Sequence, residues 1–415
     1  MKSFKSFLSE SSGKNLHLVH IEDLVLDGGV KGAREAINAL RSLRDMLGGS
    51  SKTSTDITVK FDGAPAVFAG EDPRDGKFFV AKKGVFNVNP KVYKSHEDID
   101  DDTSGDLNSK LKQAFDNLKG LGIKQVIQGD FMYDKSDLKK ETINGESYIT
   151  FHPNTILYAV PVKSDLGKTI AKSNIGIVWH TVYTGNSFET MKAQFGKSIV
   201  KTIKSSPKVW MIDATLEDLS GKAVMTDSET KEVTKALSNA GKIFNKISAS
   251  TLKEIESEKE LNLIINTYNN TKVRAGERIT NTKAHTLGLI EFVNSRYAKA
   301  IDKLKSDKGK ARKATQRDEF IAKFFNKNNT KNLQAVFDLQ NAIVDAKMII
   351  INKLNTLSNI DTFVKTSDGF KVTNAEGFVA IDKIGGGAVK LVDRLEFSSN
   401  NFNPAIIKGW QSPTR

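Results

Sequence analysis

Residues Asp56-Ile57-Thr58-Val59-Lys60-Phe61-Asp62-Gly63 form a short run in which the hydrophobic pattern of the chain changes. Every second residue from Ile57 to Phe61 is apolar, and this period predicts a strand with one buried face. Asp62-Gly63 is typical of a tight turn, so we expect the strand to end there. Lys60 then lies on the polar face of this strand, immediately before the turn. A lysine in that position can be held rigidly and can point into a cleft rather than into solvent.

Strand and helix patterns continue on both sides of this run. Upstream, apolar residues three and four apart predict a helix over Lys31–Leu47, which Gly48-Gly49 ends. Downstream, loops rich in Gly, Asp, Asn and Ser separate short runs that predict strands, with one helix among them. These elements are strands at Lys77–Ala81, Gln125–Tyr133, Thr155–Val162 and Ile175–Tyr183, and a helix at Leu107–Leu118.

From about residue 188 the pattern becomes helical, and it returns to strands near residue 369. We therefore expect an α+β fold, in which a large basic helical insertion interrupts a core of antiparallel sheets. The predicted helices are Thr230–Ile247, Ala249–Asn269, Ala284–Leu304 and Asn332–Leu357, and the predicted strands are Gly369–Val372, Gly377–Ile381 and Ala388–Val392. The expected domains are an N-terminal helical segment (1–50), the first part of the core (51–188), the helical insertion (189–365) and the last core strands with a tail (366–415).

Composition and charge limit the class of protein and its partners. The chain of 415 residues has 62 Lys and Arg against 49 Asp and Glu, a net charge of +13, and no cysteine. The charge favours polyanions, nucleic acid first and acidic membrane second, and the lack of cysteine excludes disulfides and thiolate metal sites. Residues 231–370 carry +10 of the charge. No apolar run has the length of a membrane span or signal peptide, so we expect a cytoplasmic protein without a membrane partner.

Lys60-Phe61-Asp62-Gly63 has the form K-x-D-G, which resembles motif I of the covalent nucleotidyltransferases, the superfamily of polynucleotide ligases and capping enzymes. The resemblance implies that Lys60 attacks the α-phosphate of ATP and carries AMP as a phosphoramidate. Attack requires a neutral amine, so basic neighbours or Mg²⁺ must help this lysine to lose its proton. Taken alone, Lys60 could instead be a solvated strand lysine. The residues expected beside the nucleotide here are Val59, Phe61, Asp62 and Gly63.

Further matches follow in the order that the family shows. Phe78–Phe86 resembles the strand and loop of RNA ligases in which basic residues, here Lys82 and Lys83, lie beside the sugar and phosphates. Val126–Phe131 resembles motif III, with Asp130 as its acidic residue. Tyr158, on the next predicted strand, occupies the place where the family stacks an aromatic ring on the base.

The last two motifs lie beyond the helical insertion. Glu376-Gly377-Phe378-Val379 resembles motif IV, and Val389-Lys390-Leu391-Val392 resembles motif V. The resemblance implies that Glu376 and Asp130 hold Mg²⁺ or accept from sugar hydroxyls, and that Lys390 neutralises phosphate oxygens. Each residue also has an ordinary structural interpretation: a turn cap for Asp130, a surface acid for Glu376 and a solvated strand lysine for Lys390.

Two departures from the family's pattern affect the prediction. Pro65 stands where DNA ligases and capping enzymes usually carry an arginine, and this departure favours RNA-ligase-like members. Val392 stands where motif V commonly has a second lysine, which leaves one fewer charge for the triphosphate. The resemblance covers residues 51–188 and 366–396, and the N-terminal segment resembles that of uncharacterised proteins of large tailed phages.

Histidines and basic helices offer further candidates. His17 and His20, with Asp23, fit either a metal site or, as we favour, residues that flank a buried apolar stripe. His180 fits a nucleotide pocket and a packed core equally well. Residues 296–331 hold 12 basic and 4 acidic residues with three phenylalanines between them, which indicates a nucleic-acid-binding surface or a solvated helical face.

Together these features predict an ATP-dependent and Mg²⁺-dependent polynucleotide ligase that adenylylates Lys60, activates a 5′-phosphate end and favours RNA over DNA. Its expected partner is RNA or single-stranded DNA, bound by the basic helical insertion. The alternatives are a non-catalytic nucleic-acid-binding or phage structural protein with the same fold, and a nucleotidyltransferase that modifies a protein or small molecule. The sequence does not determine the oligomeric state.

Overall fold

Three β-sheets and a body of α-helices form the part of the chain that the computed structural model describes: residues 18–49, 55–215, 224–357, 360–382 and 388–409. The expected α+β class is confirmed. The strands are β1 Thr55–Lys60, β2 Ala66–Glu71, β3 Phe78–Ala81, β4 Val126–Asp134, β5 Lys139–Ile143, β6 Glu146–Phe151, β7 Leu157–Pro161, β8 Ile175–Thr184, β9 Lys192–Phe195, β10 Val209–Asp213, β11 Asp361–Thr366, β12 Gly369–Val372, β13 Gly377–Asp382 and β14 Ala388–Leu391.

The helices fall before, among and mainly after the first ten strands. They are α1 Leu24–Asp27, α2 Gly29–Leu47, α3 His96–Asp102, α4 Gly105–Leu118, α5 Asp165–Lys172, α6 Asp227–Phe244, α7 Ala249–Ser257, α8 Lys259–Arg274, α9 Thr282–Asp302, α10 Asp307–Phe324, α11 Lys327–Asn355 and α12 Arg394–Phe402. Short 3₁₀ turns lie at Ile21–Asp23, Lys83–Phe86 and Val200–Thr202.

The sheet that carries Lys60 has three antiparallel strands in the order β1-β13-β14. Lys60 pairs with Gly377, and Val379 pairs with Lys390. This register places β1, which precedes the helical insertion in the sequence, beside β13 and β14, which follow it. It therefore gathers the residues of three predicted motifs on one small sheet.

The other two sheets lie on either side of the chain segment that follows β1. The second sheet has the order β10-β8-β4-β2-β3, with β9 paired to β8, and only the β8–β10 pair is parallel. The third sheet has the order β12-β11-β7-β6-β5 and is antiparallel throughout. Strand β4 carries Asp130, and β8 carries His180, so the second sheet supplies the side of the site opposite Lys60.

The helices α1, α2 and α6–α11 share one hydrophobic core, which also takes in apolar residues of β1, β13 and β14. α11 is its longest member, with 29 residues, and at 1.5 Å per residue it spans about 43 Å. The apolar residues of α2, spaced three and four apart, form one face of the helix, and this face packs against α6 and α7. The N-terminal helices and the helical insertion therefore form one body that backs the three-stranded sheet.

A buried ion pair also ties the helical body to β14. The ammonium of Lys347, in α11, donates to both carboxylate oxygens of Glu22 at 2.9 and 3.0 Å and to the carbonyl of Val392 at 2.9 Å. Lys347 is 1% exposed and Glu22 is 4% exposed. Burial opposes the charge on Glu22, but Lys347 and its other cationic neighbours overcome this effect and lower the pKa of Glu22 to about 2.

Several predicted boundaries differ from those observed. The helical insertion was expected from residue 189, but β9 and β10 pair with β8 and extend the second sheet. The first helix of the insertion begins at Asp227, near the predicted start at Thr230. The helix expected over Ala249–Asn269 is two helices, since Glu258 leaves the helical conformation (φ −89°, ψ 87°). The β5–β6 hairpin and strand β11 were not predicted. Residues 1–17 of the predicted N-terminal segment lie outside the described residues.

Candidate active site

A cleft of ≈ 510 Å³ opens between the β1-β13-β14 sheet and the second sheet. Its wall is formed by side chains that lie far apart in the sequence and that the sheet register brings together. The cleft is therefore the candidate site for the predicted transfer of a nucleotide to Lys60. Nine of the predicted site residues line it: Val59, Lys60, Phe61, Asp62, Gly63, Lys83, Asp130, Glu376 and Lys390.

Lys60 contacts Glu376 at the centre of this cleft. Their ammonium and carboxylate groups form an ion pair, which follows from the antiparallel pairing of Lys60 with Gly377 on the adjacent strand. The side chain of Lys60 is 31% exposed and that of Glu376 is 9% exposed. The lysine is thus reachable from the cleft while its acidic partner is held behind it.

Burial changes the ionisation of the two carboxyl groups in the cleft. Removal from water raises the pKa of Glu376 to about 7, and the positive charge of Lys60 offsets this only in part. Burial likewise raises the pKa of Asp130 to about 7, against the opposing charges of Lys60 and Lys83. Two carboxyl groups that titrate near neutral pH in one cleft are typical of sites that exchange protons or bind cations.

Lys390 completes a cluster of positive charge with Lys60 and Lys83. It lies one strand beyond Glu376 in the sheet, and its backbone N–H donates to the carbonyl of Val19 at 2.9 Å. Burial lowers the pKa of Lys390, and the nearby charge of Lys60 lowers it further. The three lysines share the cleft with the carboxyl groups of Asp62, Asp130 and Glu376, so the cleft presents both cations for phosphate oxygens and oxygen ligands for a metal ion.

The turn after β1 is fixed by strand β7 and the residues just before it. The Asp62 carboxylate accepts hydrogen bonds from the N–H groups of Thr155 and Ile156, at 2.7 and 2.9 Å, and from the Asn154 side chain at 2.8 Å. The backbone N–H of Asp62 donates to the hydroxyl of Tyr158 at 2.6 Å. Asp62 therefore anchors the turn that presents Lys60, although it also lines the cleft.

Glycine is required at position 63 of this turn for steric reasons. A Cβ atom there would lie 2.5 Å from the Cβ of Asp130 and 2.9 Å from the sulfur of Met132. Such distances are well inside van der Waals contact, so any side chain would push the turn away from β4. The glycine of the K-x-D-G run thus permits the close approach of Lys60 and Asp130.

Two predicted site residues lie elsewhere. Tyr158 is 2% exposed and stacks on Phe151, with ring centroids 5.4 Å apart and an interplanar angle of 14°. Its hydroxyl accepts from the backbone N–H of Asp62, and the residue borders the ≈ 750 Å³ cavity next to Lys60 rather than the cleft, so stacking on a base stays a prediction. Lys82 pairs with Asp102 at 3.0 Å outside the cleft, and only its neighbour Lys83 lines the cleft.

Of the three candidate histidines, one lines the cleft, one lies beside the cleft sheet and one lies outside the described residues. His180 lines the cleft 3.9 Å from Asp130, and burial together with Lys60 lowers its pKa to about 4. His20 lies beside the cleft sheet, where burial lowers its pKa to about 3, and Asp23 binds Arg394 at 2.9 Å. His17 lies outside the described residues, so the proposed grouping of these three residues is not seen as a unit.

The structure adds residues that the sequence did not indicate. Tyr183 donates to the side-chain oxygen of Gln128 at 2.7 Å, and both line the cleft. Phe195 and Leu18 pack with Val379 at its apolar end. The short strand that carries Phe195 has no strong period, so its place in the cleft depends on pairing with β8.

A second cavity of ≈ 750 Å³ lies behind Lys60. Lys60 and Phe61 line it together with Leu354 and Asn355, the C-terminal end of α11. The nucleophile candidate is thus next to one end of the longest helix.

The carboxylate groups in the cleft are possible ligands for a metal ion. Among the described residues, no three or more His, Asp or Glu side chains are grouped as metal ligands. Mg²⁺ usually keeps several waters and binds through one or two carboxylates and substrate phosphates. Asp130 and Glu376 fit that mode, because both are carboxylates that line the same cleft as the cationic cluster.

Comparisons with known proteins identify a family without an assigned activity. A family model described as "Family of unknown function (DUF6267)" matches residues 15–406, and the chain therefore belongs to this family. No curated protein and no solved structure matches the chain. Within the described ranges, no helix has both the length and the apolar character needed to cross a membrane.

Proposed function

We propose that this member of a family of unknown function is an ATP-dependent polynucleotide ligase of the covalent nucleotidyltransferase type, with RNA rather than DNA as substrate. Its core would be the nucleotidyltransferase fold, and Lys60 would carry AMP before passing it to a 5′-phosphate end. We place such an activity in the cytoplasm, which is the host's cytoplasm if a phage encodes the chain.

The proposal is supported by one observation above the others. Lys60, Glu376 and Lys390 come from three motif-like segments that span 330 residues, yet they lie on or, for Glu376, immediately before three adjacent strands and line one cleft. Lys83 and Asp130 reach the same cleft from the second sheet. Motif matches that arose by chance would not be expected to line the same cleft.

The contacts in the cleft suit the first chemical step. The nitrogen of Lys60 forms a bond to the α-phosphorus of ATP as the bond from that phosphorus to the bridging oxygen breaks, and pyrophosphate leaves with the electron pair. Before attack, Lys60 must lose a proton, and the Glu376 carboxylate in contact with it can accept that proton. Lys390 and Lys83 lie where they can neutralise phosphate oxygens.

A bound Mg²⁺ ion would add charge neutralisation at the phosphates. Asp130 would hold it directly and Glu376 through a water molecule, together with the nucleotide, which leaves the Glu376 carboxylate able to accept the proton of Lys60. In the second step, an oxygen of the polynucleotide's 5′-phosphate attacks the phosphorus of AMP, and the bond to Lys60 breaks. The third step joins the ends and releases AMP. These two steps are implied by the family resemblance alone.

Incubation of the full-length protein with α-³²P-labelled ATP or GTP and Mg²⁺ tests the proposal. We expect ATP to leave acid-sensitive, base-stable label on the wild-type chain, because a phosphoramidate has those stabilities. Lys60→Ala should abolish the label, because the proposal assigns the other two lysines of the cleft, Lys83 and Lys390, to the phosphate oxygens rather than to attack. Lys139→Ala, at an exposed end of β5 outside the cleft, is the matched control and should label normally.

Circular dichroism and thermal unfolding establish that the Lys60→Ala protein is folded. Labelling of this variant at the wild-type level would exclude Lys60 as the nucleophile. A wild-type protein that takes up no label from either nucleotide would refute the proposed activity.

A further inference from the structure

The end of the helical body farthest from the cleft is strongly basic. It consists of the C-terminal end of α9, all of α10 and the start of α11, and residues 296–331 there hold twelve basic and four acidic residues. Tyr297 of α9 joins these elements, because its ring lies 6.0 Å from the ring of Phe320 and 5.0 Å from the ammonium of Lys313. We call this surface the distal basic end.

Packing and helix stability do not account for these charges. In α10 the buried residues are Phe320 and Phe324, near its C-terminal end, and in its first three turns Lys313 covers the ring of Tyr297. Lys308 and Lys310 lie in the first turn and a half, where the helix dipole disfavours cations. Among the described residues, neither lysine nor Arg312 has an ion-pair partner. These three cations are therefore available to an external anion.

The length of α11 sets the distance between this surface and the nucleophile. Lys327 begins the helix at the distal basic end, whereas Leu354 lines the cavity behind Lys60. The intervening 27 residues correspond to about 40 Å at 1.5 Å per residue. A single nucleotide cannot reach both places. Even at the 3.4 Å rise of B-form DNA, a duplex needs about 12 base pairs to span this distance, and an A-form RNA duplex, which rises less per base pair, needs a few more.

We propose that the distal basic end is a second, remote binding site for the polynucleotide whose 5′ end enters the Lys60 cleft, so that productive binding requires about 12 base pairs or more. The proposal rests on the proposed function for the identity of the ligand. It adds a minimum substrate length and assigns the exposed cations of α10 to the phosphates of the distant part of the strand.

Charge reversal at this surface tests the proposal. In Lys308→Glu/Lys310→Glu/Arg312→Glu the new acids lie near a helix N-terminus, where the dipole favours them, so folding should be retained. The matched control, Lys163→Glu/Lys168→Glu/Lys172→Glu, makes the same change in net charge on exposed residues around α5. Fluorescence anisotropy with 5′-phosphorylated RNA duplexes of 8 and 24 base pairs, at 50 and 200 mM salt, measures binding.

We expect the wild type to bind the 24-mer at least about tenfold more tightly than the 8-mer at 50 mM salt. Reversal at the distal basic end should remove this advantage and reduce the salt slope for the 24-mer by about 3, one for each phosphate that is no longer neutralised. The control variant should keep both properties, and labelling of Lys60 with ATP should be unchanged in both variants.

The outcomes separate this inference from the proposed function. Equal affinity of the wild type for both lengths, or a 24-mer affinity that the distal reversal leaves unchanged, would overturn the remote site while labelling of Lys60 still stood. If the distal reversal removed the preference for the 24-mer but the wild type never labelled with ATP, the binding role of the distal basic end would stand and the proposed ligase activity would be refuted.

Discussion

The contact between Glu376 and Lys60 gives one residue two possible roles. As an ion-pair partner alone, Glu376 would hold the lysine in its charged and unreactive form. With a pKa near 7 it is instead a base that is ionised above neutral pH and protonated below it. The carboxyl group is therefore matched to proton removal from the nucleophile at physiological pH.

This role predicts how labelling depends on pH. The rate of Lys60 labelling should rise as pH increases through about 7, because Glu376 then loses its proton and can accept one from the lysine. Glu376→Gln should lower the rate by about 10²- to 10⁴-fold and flatten the rise. Single-turnover labelling between pH 5.5 and 8.5 measures both effects.

Glu141→Gln provides the comparison, since Glu141 pairs with Lys365 at 3.1 Å outside the cleft. That variant should keep the wild-type profile. If Glu376→Gln retained the inflection near pH 7, the titrating base would be another group, with Asp130 the first to test by Asp130→Asn.

Among the elements, the connection between β1 and β2 depends most on a distant strand. Its only carboxylate, Asp62, is held by groups 92 to 94 residues away in the chain. Tyr158 of β7 holds the same residue through its backbone N–H. The geometry of Lys60 is thus set partly by the third sheet, although Lys60 belongs to the first.

Tyr158→Phe should weaken this support. The substitution keeps the buried ring but leaves the N–H of Asp62 without its acceptor, which costs about 1–3 kcal/mol of unfolding free energy. We also expect slower labelling of Lys60, because the turn that presents it is less firmly held. Urea denaturation and the labelling assay measure these effects.

Tyr148→Phe is the comparison, because the hydroxyl of Tyr148 donates to Glu146 at a partly exposed site. It should change stability by less than about 1 kcal/mol. A Tyr158→Phe protein with wild-type stability and labelling would show that the hydroxyl contributes nothing to the turn.

The sequence allowed the strands of the site to be predicted, but not their partners. The alternation in β1 and the return to strand character after residue 369 are local patterns, and they carried most of the candidate residues. The β5–β6 hairpin has a local signal in the dipeptide Asn144-Gly145, and both residues take the positive φ that a two-residue hairpin turn requires. By contrast, the capture of Asp62 and the burial of Tyr158 depend on tertiary contacts that no local period encodes.

At the scale of the whole molecule, the helical body and the cleft are joined by the buried pair of Glu22 and Lys347. The pair links α11 to the residues before α1 and to the end of β14, which carries Lys390. A buried pair is costly to break, because the remaining charge has no partner. The position of β14 should therefore depend on this pair.

Lys347→Met should lower the free energy of unfolding by up to about 3–5 kcal/mol at pH 7, since the carboxylate of Glu22 would remain buried with Arg394, 3.7 Å away, in place of its closer partner. Glu22→Gln/Lys347→Met should recover much of the loss. Lys272→Met, which breaks the exposed pair with Glu277, should cost no more than about 1 kcal/mol. Urea denaturation of the three variants measures these differences.

The same pair predicts a dependence on pH. The pKa of Glu22 is lower in the folded chain, about 2, than its ordinary value of 4.5, so its contribution is complete above pH 4.5 and is lost as the pH falls toward 2. The stability gap between wild type and Lys347→Met should therefore narrow on acidification below pH 4.5. A gap that stayed constant down to pH 3 would contradict the assignment of this stabilisation to the ion pair.

The pairing of β1 with β13 and β14 also imposes an order of events during synthesis. Lys60 is made 330 residues before Lys390, and at 5–20 residues per second the interval is roughly 17–66 s. Throughout that interval the nascent chain carries the proposed nucleophile without Glu376 and Lys390, the other residues of the cleft that the proposed reaction needs. A ribosome that stalls within the helical insertion therefore leaves a product that displays Lys60 but cannot assemble the site around it.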